Sequence, residues 1–125
     1  MLALAANPPG TMKIQTDAYL VQFDAADATV RMTGSLRLMG MESYDPVNKL
    51  LQEALDASPT RFTLDLRDLE YLNSSGINCI SRFVIKAREK PGIALTVLGS
   101  ARVTWQGKSL ANLQRFMPSL KLVVS

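Results

Sequence analysis

The chain has 125 residues, 47% of them hydrophobic and 20% charged, with one cysteine, no histidine and a net charge of +3. That length suffices for one domain with a core of its own, while the missing histidine excludes Ser-His-Asp and Cys-His triads, histidine-ligated zinc and histidine general bases. The lone Cys79 excludes an intramolecular disulfide and fits a reducing compartment; the basic excess, ten Lys/Arg against four Asp/Glu in residues 61–125 and four against seven before them, is spread over several elements, so no nucleic-acid stripe is expected.

Residues 1–11 are apolar and then rich in Pro and Gly, with no basic flank and too few residues to span a membrane. Residues 1–12 are read as a flexible extension and residues 13–125 as the folded domain. No other segment approaches membrane length, and a soluble, cytoplasmic protein is expected. Tyr19–Asp24 and Ala28–Thr33 both alternate around Ala25-Ala26-Asp27. This predicts an antiparallel hairpin with Tyr19, Val21 and Phe23 on one face and Val30 and Met32 beneath them. Gly34–Gly40 then leaves the second strand as a loop. Asp45-Pro46 predicts a helix start, a capping carboxylate followed by proline at the first helical position. Val47, Leu50, Leu51, Ala54 and Leu55 form its apolar stripe, and Ser58-Pro59 end it.

Arg61–Leu66 alternates as a half-buried strand does, with Phe62, Leu64 and Leu66 on one side. Further on, Ile77, Ile80, Phe83, Val84 and Ala87 recur at helical spacing, with Arg82, Lys86, Arg88 and Glu89 opposite. Pro91-Gly92 turns the chain into a strand over 93–98. Val103–Phe116 is helical in part, with Leu110, Leu113 and Phe116 on one face; Trp105 and Gly107 blur its start, and Pro118 stops it. Leu120–Val124 is a last strand. From residue 28 the order is β-α-β-α-β-α-β, which implies parallel neighbours joined by right-handed crossovers. The fold class is therefore α/β: a single-domain mixed sheet, mostly parallel, with an N-terminal hairpin and helices packed against it.

Between the strand at 61–66 and its helix, a short loop leads into Leu72-Asn73-Ser74-Ser75-Gly76-Ile77. Asn73 is a good N-cap, and Leu72 and Ile77 then occupy the two positions of a hydrophobic staple. Ser74, Ser75 and Gly76 become the first three helical residues, where backbone N–H groups lack intrahelical partners and the helix dipole is positive. That is a natural seat for a phosphate, bound or covalently attached. Gly76 costs about 1 kcal/mol of helix propensity relative to Ala, so something approaches the backbone there, a partner or a packed strand. Cys79 inside the helix reads as a small buried hydrophobe.

This junction resembles the STAS domain of anti-sigma factor antagonists and sulphate transporter tails, whose signature is a buried strand followed by Asp-Ser-Ser/Thr-Gly-Leu opening a helix. The resemblance extends over about residues 17–125. It implies a STAS-like fold and a non-catalytic regulatory protein of a partner-switching signalling system, binding a protein partner under control of serine phosphorylation. The first serine of the family motif corresponds to Ser74, with Ser75 as the alternative. The implied partners are an anti-sigma-type serine kinase and a PP2C-type phosphatase. Two positions depart from the pattern. Asn73 stands where the family has Asp, and Gly34-Ser35-Leu36-Arg37 places Arg37 where the family's Gly-x-Leu-Asp has a carboxylate.

The expected partner-binding residues are Arg37, Asn73, Ser74, Ser75, Gly76, Asn78 and Arg82, the last two lying one turn apart on the exposed side of the helix. They combine the loop 67–73, the first half of the helix 74–89 and the loop after Gly34. No cofactor, metal, nucleic acid or membrane is expected, and a weak homodimer is compatible with the reading. Because Asn73 removes the acidic neighbour, a phosphorylation-independent scaffold that binds a signalling enzyme or small ligand is the alternative.

Two decoys fail on spacing. Gly107-Lys108-Ser109 would need a glycine at position 102 to form a phosphate loop, and Arg102 is there. Asp65, Asp68 and Glu70 follow a strand as Mg²⁺ ligands can, but carboxylates from other strand ends are missing, and a solvated loop is expected.

Overall fold

Alternation of apolar and polar side chains builds the sheet. The computed structural model describes residues 12–58 and 60–125, in which β1 (Met12–Gln15), β2 (Tyr19–Asp24), β3 (Thr29–Leu36), β4 (Arg61–Asp65), β5 (Leu69–Leu72), β6 (Ala94–Gly99) and β7 (Lys121–Val124) share one sheet. β1, β2 and β3 are antiparallel neighbours, and β3, β4, β6 and β7 follow in parallel. In register, Met12, Phe23, Val30, Leu64, Val97 and Leu122 form one inward row. The neighbouring row, Lys13, Gln22, Arg31, Asp65 and Leu98, points to the opposite face.

Among the described residues, the one-turn α1 (Gly40–Ser43), with no buried residue, leads into α2 (Asp45–Asp56), which covers the apolar face together with α3 (Ser74–Arg88) and α4 (Gln106–Phe116). The stripe expected for α2 is buried, and Ile80, Phe83, Val84 and Ala87 of α3 join it in one hydrophobic cluster with the inward row. Phe62 stacks on Phe23 with ring centroids 6.3 Å apart and meets Phe83 at 5.0 Å, tying hairpin, central strand and helix together. A buried side chain of this size contributes roughly 1.5–3 kcal/mol. The mixed α/β sheet with helices on it is as the sequence predicts.

Several local expectations need correction. The segment read as the loop 67–73 contains β5, which pairs in parallel with the last residues of β3. That pairing keeps β3 in the sheet to Leu36, so the expected loop after Gly34 starts at Arg37. The sequence hid β5 because its buried residues, Leu69 and Leu72, do not alternate, and β3 changes register between Gly34 and Ser35. Gly34 enables that shift at φ +89, where an added Cβ would overlap the Ala18 carbonyl oxygen. Asp45 is not the N-cap of α2. Tyr44 is, with no side-chain cap, because α1 runs straight into α2 and Tyr44 N–H already donates to Met41 C=O at 3.1 Å. α4 starts only at Gln106. Met12, counted with the extension on sequence grounds, opens β1; the rest of that extension, residues 1–11, lies outside the described residues. Among the described residues no helix is long and apolar enough to cross a membrane.

Candidate functional site

The end of β4 feeds the junction through a bend pinned from behind. Gln106, fully buried, donates through Nε2 to Leu66 C=O at 2.6 Å and Leu69 C=O at 3.1 Å, and accepts from Ser100 N–H at 2.7 Å. Trp105 Nε1 donates to the same Leu69 carbonyl at 3.1 Å. One side chain thus satisfies the bend's inward polar groups, which would be costly to leave unpaired. β5 then delivers Asn73 to the start of α3.

Asn73 is the N-cap, as its position predicts: Oδ1 accepts from Gly76 N–H at 3.0 Å. Its side chain does more than cap. Oδ1 also accepts from the buried Tyr44 hydroxyl at 2.6 Å, Nδ2 donates to Leu38 C=O at 2.8 Å, and the backbone N–H donates to Leu36 C=O at 3.3 Å. The cap therefore clamps the start of α3 to the end of β3 and to the start of α2. Burial pushes the Tyr44 phenol above its ordinary range, so it stays a donor. Gly76 is required by the same packing. A Cβ there would overlap Leu72 Cδ1 and lie 2.7 Å from the Tyr44 oxygen. The close approach inferred from this glycine is internal. Leu72 and Ile77, the staple positions, line one small hollow with Ile80 and Trp105.

On the outer side of this clamp, Ser74 is exposed and Ser75 half-buried at the first two positions of α3, and Asn78 and Arg82 are exposed along it. Arg37 follows the last residue of β3, and its guanidinium lies over the Tyr71 ring, 4.5 Å from the centroid. Tyr71 is 41% exposed and Met39, nearby in the chain, 84%. Large apolar side chains beside an arginine are the composition that carries binding energy in protein interfaces. Sequence reasoning missed Met39, Tyr44, Tyr71, Trp105 and Gln106. The contacts of Tyr71 and Trp105 depend on the β3–β5 pairing, which has no local signature, and those of Tyr44 and Gln106 on partners far away in the sequence.

Two of the three carboxylates of the bend face arginines. Burial opposes ionisation of Asp65, but hydrogen bonds from Arg67, at 2.8 and 3.0 Å from the side chain and 3.1 Å from the backbone, with the charges of Arg67 and Arg31, hold its carboxyl below the usual range. Glu70 faces Arg102 at 3.8 Å, and among the described residues no three metal-ligating side chains converge. Cys79 is buried, donates to Asn48 Oδ1 at 2.9 Å, and has its thiol pushed up to about 12 by burial, opposed by the charge of Arg82. It packs as a small hydrophobe and holds almost no thiolate at neutral pH.

No protein-family model matches the chain, and no curated protein matches it. Among solved structures it is similar to SiaC of Pseudomonas aeruginosa, at 18% identity and a TM-score of 0.68 over 92% of this chain and 97% of that one. It is equally similar to SiaC bound to the diguanylate cyclase SiaD, of which SiaC is the activator: 18% identity, TM-score 0.67, 90% and 97% coverage. An anti-sigma factor antagonist from Mycobacterium paratuberculosis follows at 19% identity and 0.55, covering 92% and 89%. At these identities the likeness is one of fold. The chain thus has the STAS-like fold shared by an anti-sigma factor antagonist and by SiaC, the fold that the strand-to-helix junction at Asn73–Gly76 points to.

Proposed function

We propose that this chain is a non-catalytic regulatory protein that binds a protein partner through the face around Ser74, and that phosphorylation of Ser74 controls the binding. The observation that carries this reading is the position of Ser74, exposed at the first residue of α3 on a junction that Asn73 holds in place. It sits in a fold shared with an anti-sigma factor antagonist and with the activator of a diguanylate cyclase. An anti-sigma-type serine kinase would add the phosphate, with Ser75 as the alternative acceptor, and a PP2C-type phosphatase would remove it. A phosphate adds about −1.5 to −2 charge, enough to disrupt a close interface with an acidic or apolar partner face. Partner contacts are assigned to Arg37, Asn73, Ser74, Ser75, Asn78 and Arg82, with Met39 and Tyr71 as apolar anchors; Gly76, expected among them on sequence grounds, is buried against Leu72 and Tyr44 and serves the internal packing instead. The protein then acts in the cytoplasm, alongside its kinase. Phosphopeptide mapping after incubation with a kinase encoded beside this chain tests the reading; modification confined to sites other than 74 and 75 overturns it.

A second reading has its own support. The likeness to SiaC, TM-score 0.68, exceeds that to the antagonist, 0.55, and SiaC activates a diguanylate cyclase. Here the chain binds a signalling enzyme without itself being phosphorylated. Partner binding that is identical for wild type, Ser74→Ala and Ser74→Asp supports it, whereas binding lost only in Ser74→Asp supports the switch.

A further inference from the structure

Along α3, beyond Asn78, a groove of about 300 Å³ opens between α2 and α3. Its floor is apolar, from the buried Leu51 and Phe83, and its walls carry Lys49, Arg82 and Lys86 with the amides of Asn48 and Gln52. None of the three cations has a carboxylate within 4.0 Å among the described residues. The amides are partly committed. Asn48 Oδ1 accepts from Cys79 Sγ, leaving its NH₂ to the groove, and Gln52 Nε2 donates to Asp56 Oδ1 at 2.9 Å. Asp56 and Glu89 line the next hollow with Lys86 and Lys90. Lys90 is spent on the Leu55 and Ser58 carbonyls at 2.6 and 2.7 Å.

Arg82 and Lys86, one turn apart on α3, repel one another, and Lys49 of α2 adds a third positive charge to the same groove, with Asp45 and Glu53 one turn away on its own helix but beyond ion-pair distance. The arrangement of the three cations becomes favourable when an anionic occupant replaces the water between them. The groove is an open trough rather than an enclosed cavity, so it would bury little of a small molecule's surface but can take one side of an extended or helical segment. It is also continuous, through Arg82, with the face assigned to the partner.

We propose that the α2–α3 groove seats an acidic, amphipathic segment of the protein partner, its apolar side chains on Leu51 and Phe83 and its carboxylates over Lys49, Arg82 and Lys86. The inference rests on the partner-binding reading above and adds to it the chemistry of the segment that is recognised. Cations at the rim of an interface act mainly on association rate and salt dependence, so the groove selects partners while Ser74 regulates them.

The test uses the full chain, expressed in its own cells, with a photoreactive phenylalanine analogue at position 52 in the groove, at 78 beside the switch, or at 112 on α4 as a control. Cross-linked peptides are then sequenced. Positions 52 and 78 should capture the same protein, position 112 nothing. The peptide joined at 52 should carry several carboxylates alongside apolar residues. Adding Lys49→Glu and Lys86→Glu should cut capture at 52 at least tenfold without lowering the melting temperature. Capture at 78 with none at 52, a peptide poor in carboxylates, or capture of a second copy of this chain overturns the groove proposal alone. So does a melting temperature raised by pyrophosphate in the wild type but not in the double variant, with no capture at 52, which would make the site one for small anions. Failure at both 52 and 78 removes the partner-binding reading itself.

Discussion

Replacing Asn73 by Asp restores the residue of the family motif, and the structure predicts that this chain loses stability by it. The Oδ1 contacts survive: a carboxylate accepts from Gly76 N–H and Tyr44 Oη at least as well. Its charge at the helix N-terminus adds roughly 0.3–1 kcal/mol of stability. The other oxygen, however, takes the place of Nδ2, which donates to Leu38 C=O at 2.8 Å. That hydrogen bond disappears and a partly buried acceptor is left facing another acceptor, together a cost of about 1–3 kcal/mol. The loss outweighs the gain, for a net destabilisation of about 1–2 kcal/mol. Urea unfolding at pH 7 measures it, with Asn73→Ala as the reference for loss of the whole cap. The sign of its pH dependence follows. If the Leu38 clash dominates, the folded carboxyl binds its proton more tightly than the unfolded one. The penalty should then shrink as pH falls toward about 4, where a protonated oxygen can donate again. An Asn73→Asp protein as stable as wild type at pH 7 refutes this account of the clamp.

Gly76→Ala gains about 1 kcal/mol of helix propensity but drives a Cβ into Leu72 and the Tyr44 oxygen, an overpacking cost of roughly 1–3 kcal/mol; chemical denaturation should show a net loss, and a stabilised variant would contradict the packing. Gln106→Ala removes two hydrogen bonds from Nε2 and one to Oε1, and should cost about 2–4 kcal/mol together with faster hydrogen exchange at Ser100 N–H. The lowered Asp65 pKa gives stability that is present above the unfolded value and lost as pH falls through the folded one. The difference between wild type and Asp65→Asn should therefore hold from pH 7 to about 4 and shrink below that; a difference that is flat to pH 2 would contradict the pairing with Arg67. A phosphate on Ser74 meets the helix N-terminus, worth on the order of 1 kcal/mol, while the Arg37 guanidinium is already engaged on the Tyr71 ring, a contact worth about 0.5–1 kcal/mol. Melting curves of phosphorylated protein should accordingly differ little between wild type and Arg37→Ala, and a strongly Arg37-dependent stabilisation would show a clamp instead.

The sheet and its helices were legible because they rest on local periodicity. Val21 and Phe23, Phe62 and Leu64, and Leu95 and Val97 each alternate, and all are at most 1% exposed. The cap was legible for a related reason: Asn73, Ser74, Ser75 and Gly76 each have a preference that a helix start satisfies within four residues. β5 was not legible, since Leu69-Glu70-Tyr71-Leu72 takes its conformation from β3 rather than from its own pattern. Everything that depends on β5 was lost with it, including the stacking of Arg37 on Tyr71 and the seat of Trp105. Gln106 shows a different limit. Nothing local distinguishes a glutamine at an exposed helix start from one that is fully buried with both ends of its amide satisfied, because the carbonyls that its Nε2 meets are 37 and 40 residues away.

The two departures from the family motif have one physical consequence in common. Asn in place of Asp at position 73 makes the cap a donor as well as an acceptor, and through Leu38 it fastens the chain that leaves β3. Arg37, the other departure, lies on that fastened chain, with its charge on the exposed face of β5. A carboxylate at position 73 would put negative charge beside Ser74 and would free the chain around residue 38, and one at position 37 would give up the stacking on Tyr71. With amide and guanidinium instead, the serine lies beside a fixed, non-repelling surface. On the proposed reading, binding and release would then come from the charge added at Ser74 or from the partner's own complementarity, rather than from movement of the junction. Hydrogen exchange at Gly76 and Ile77 N–H distinguishes these, because both donate to Asn73. Protection that is unchanged between free and partner-bound protein fits a rigid platform, and protection that appears only on binding would show that the junction itself folds against its partner.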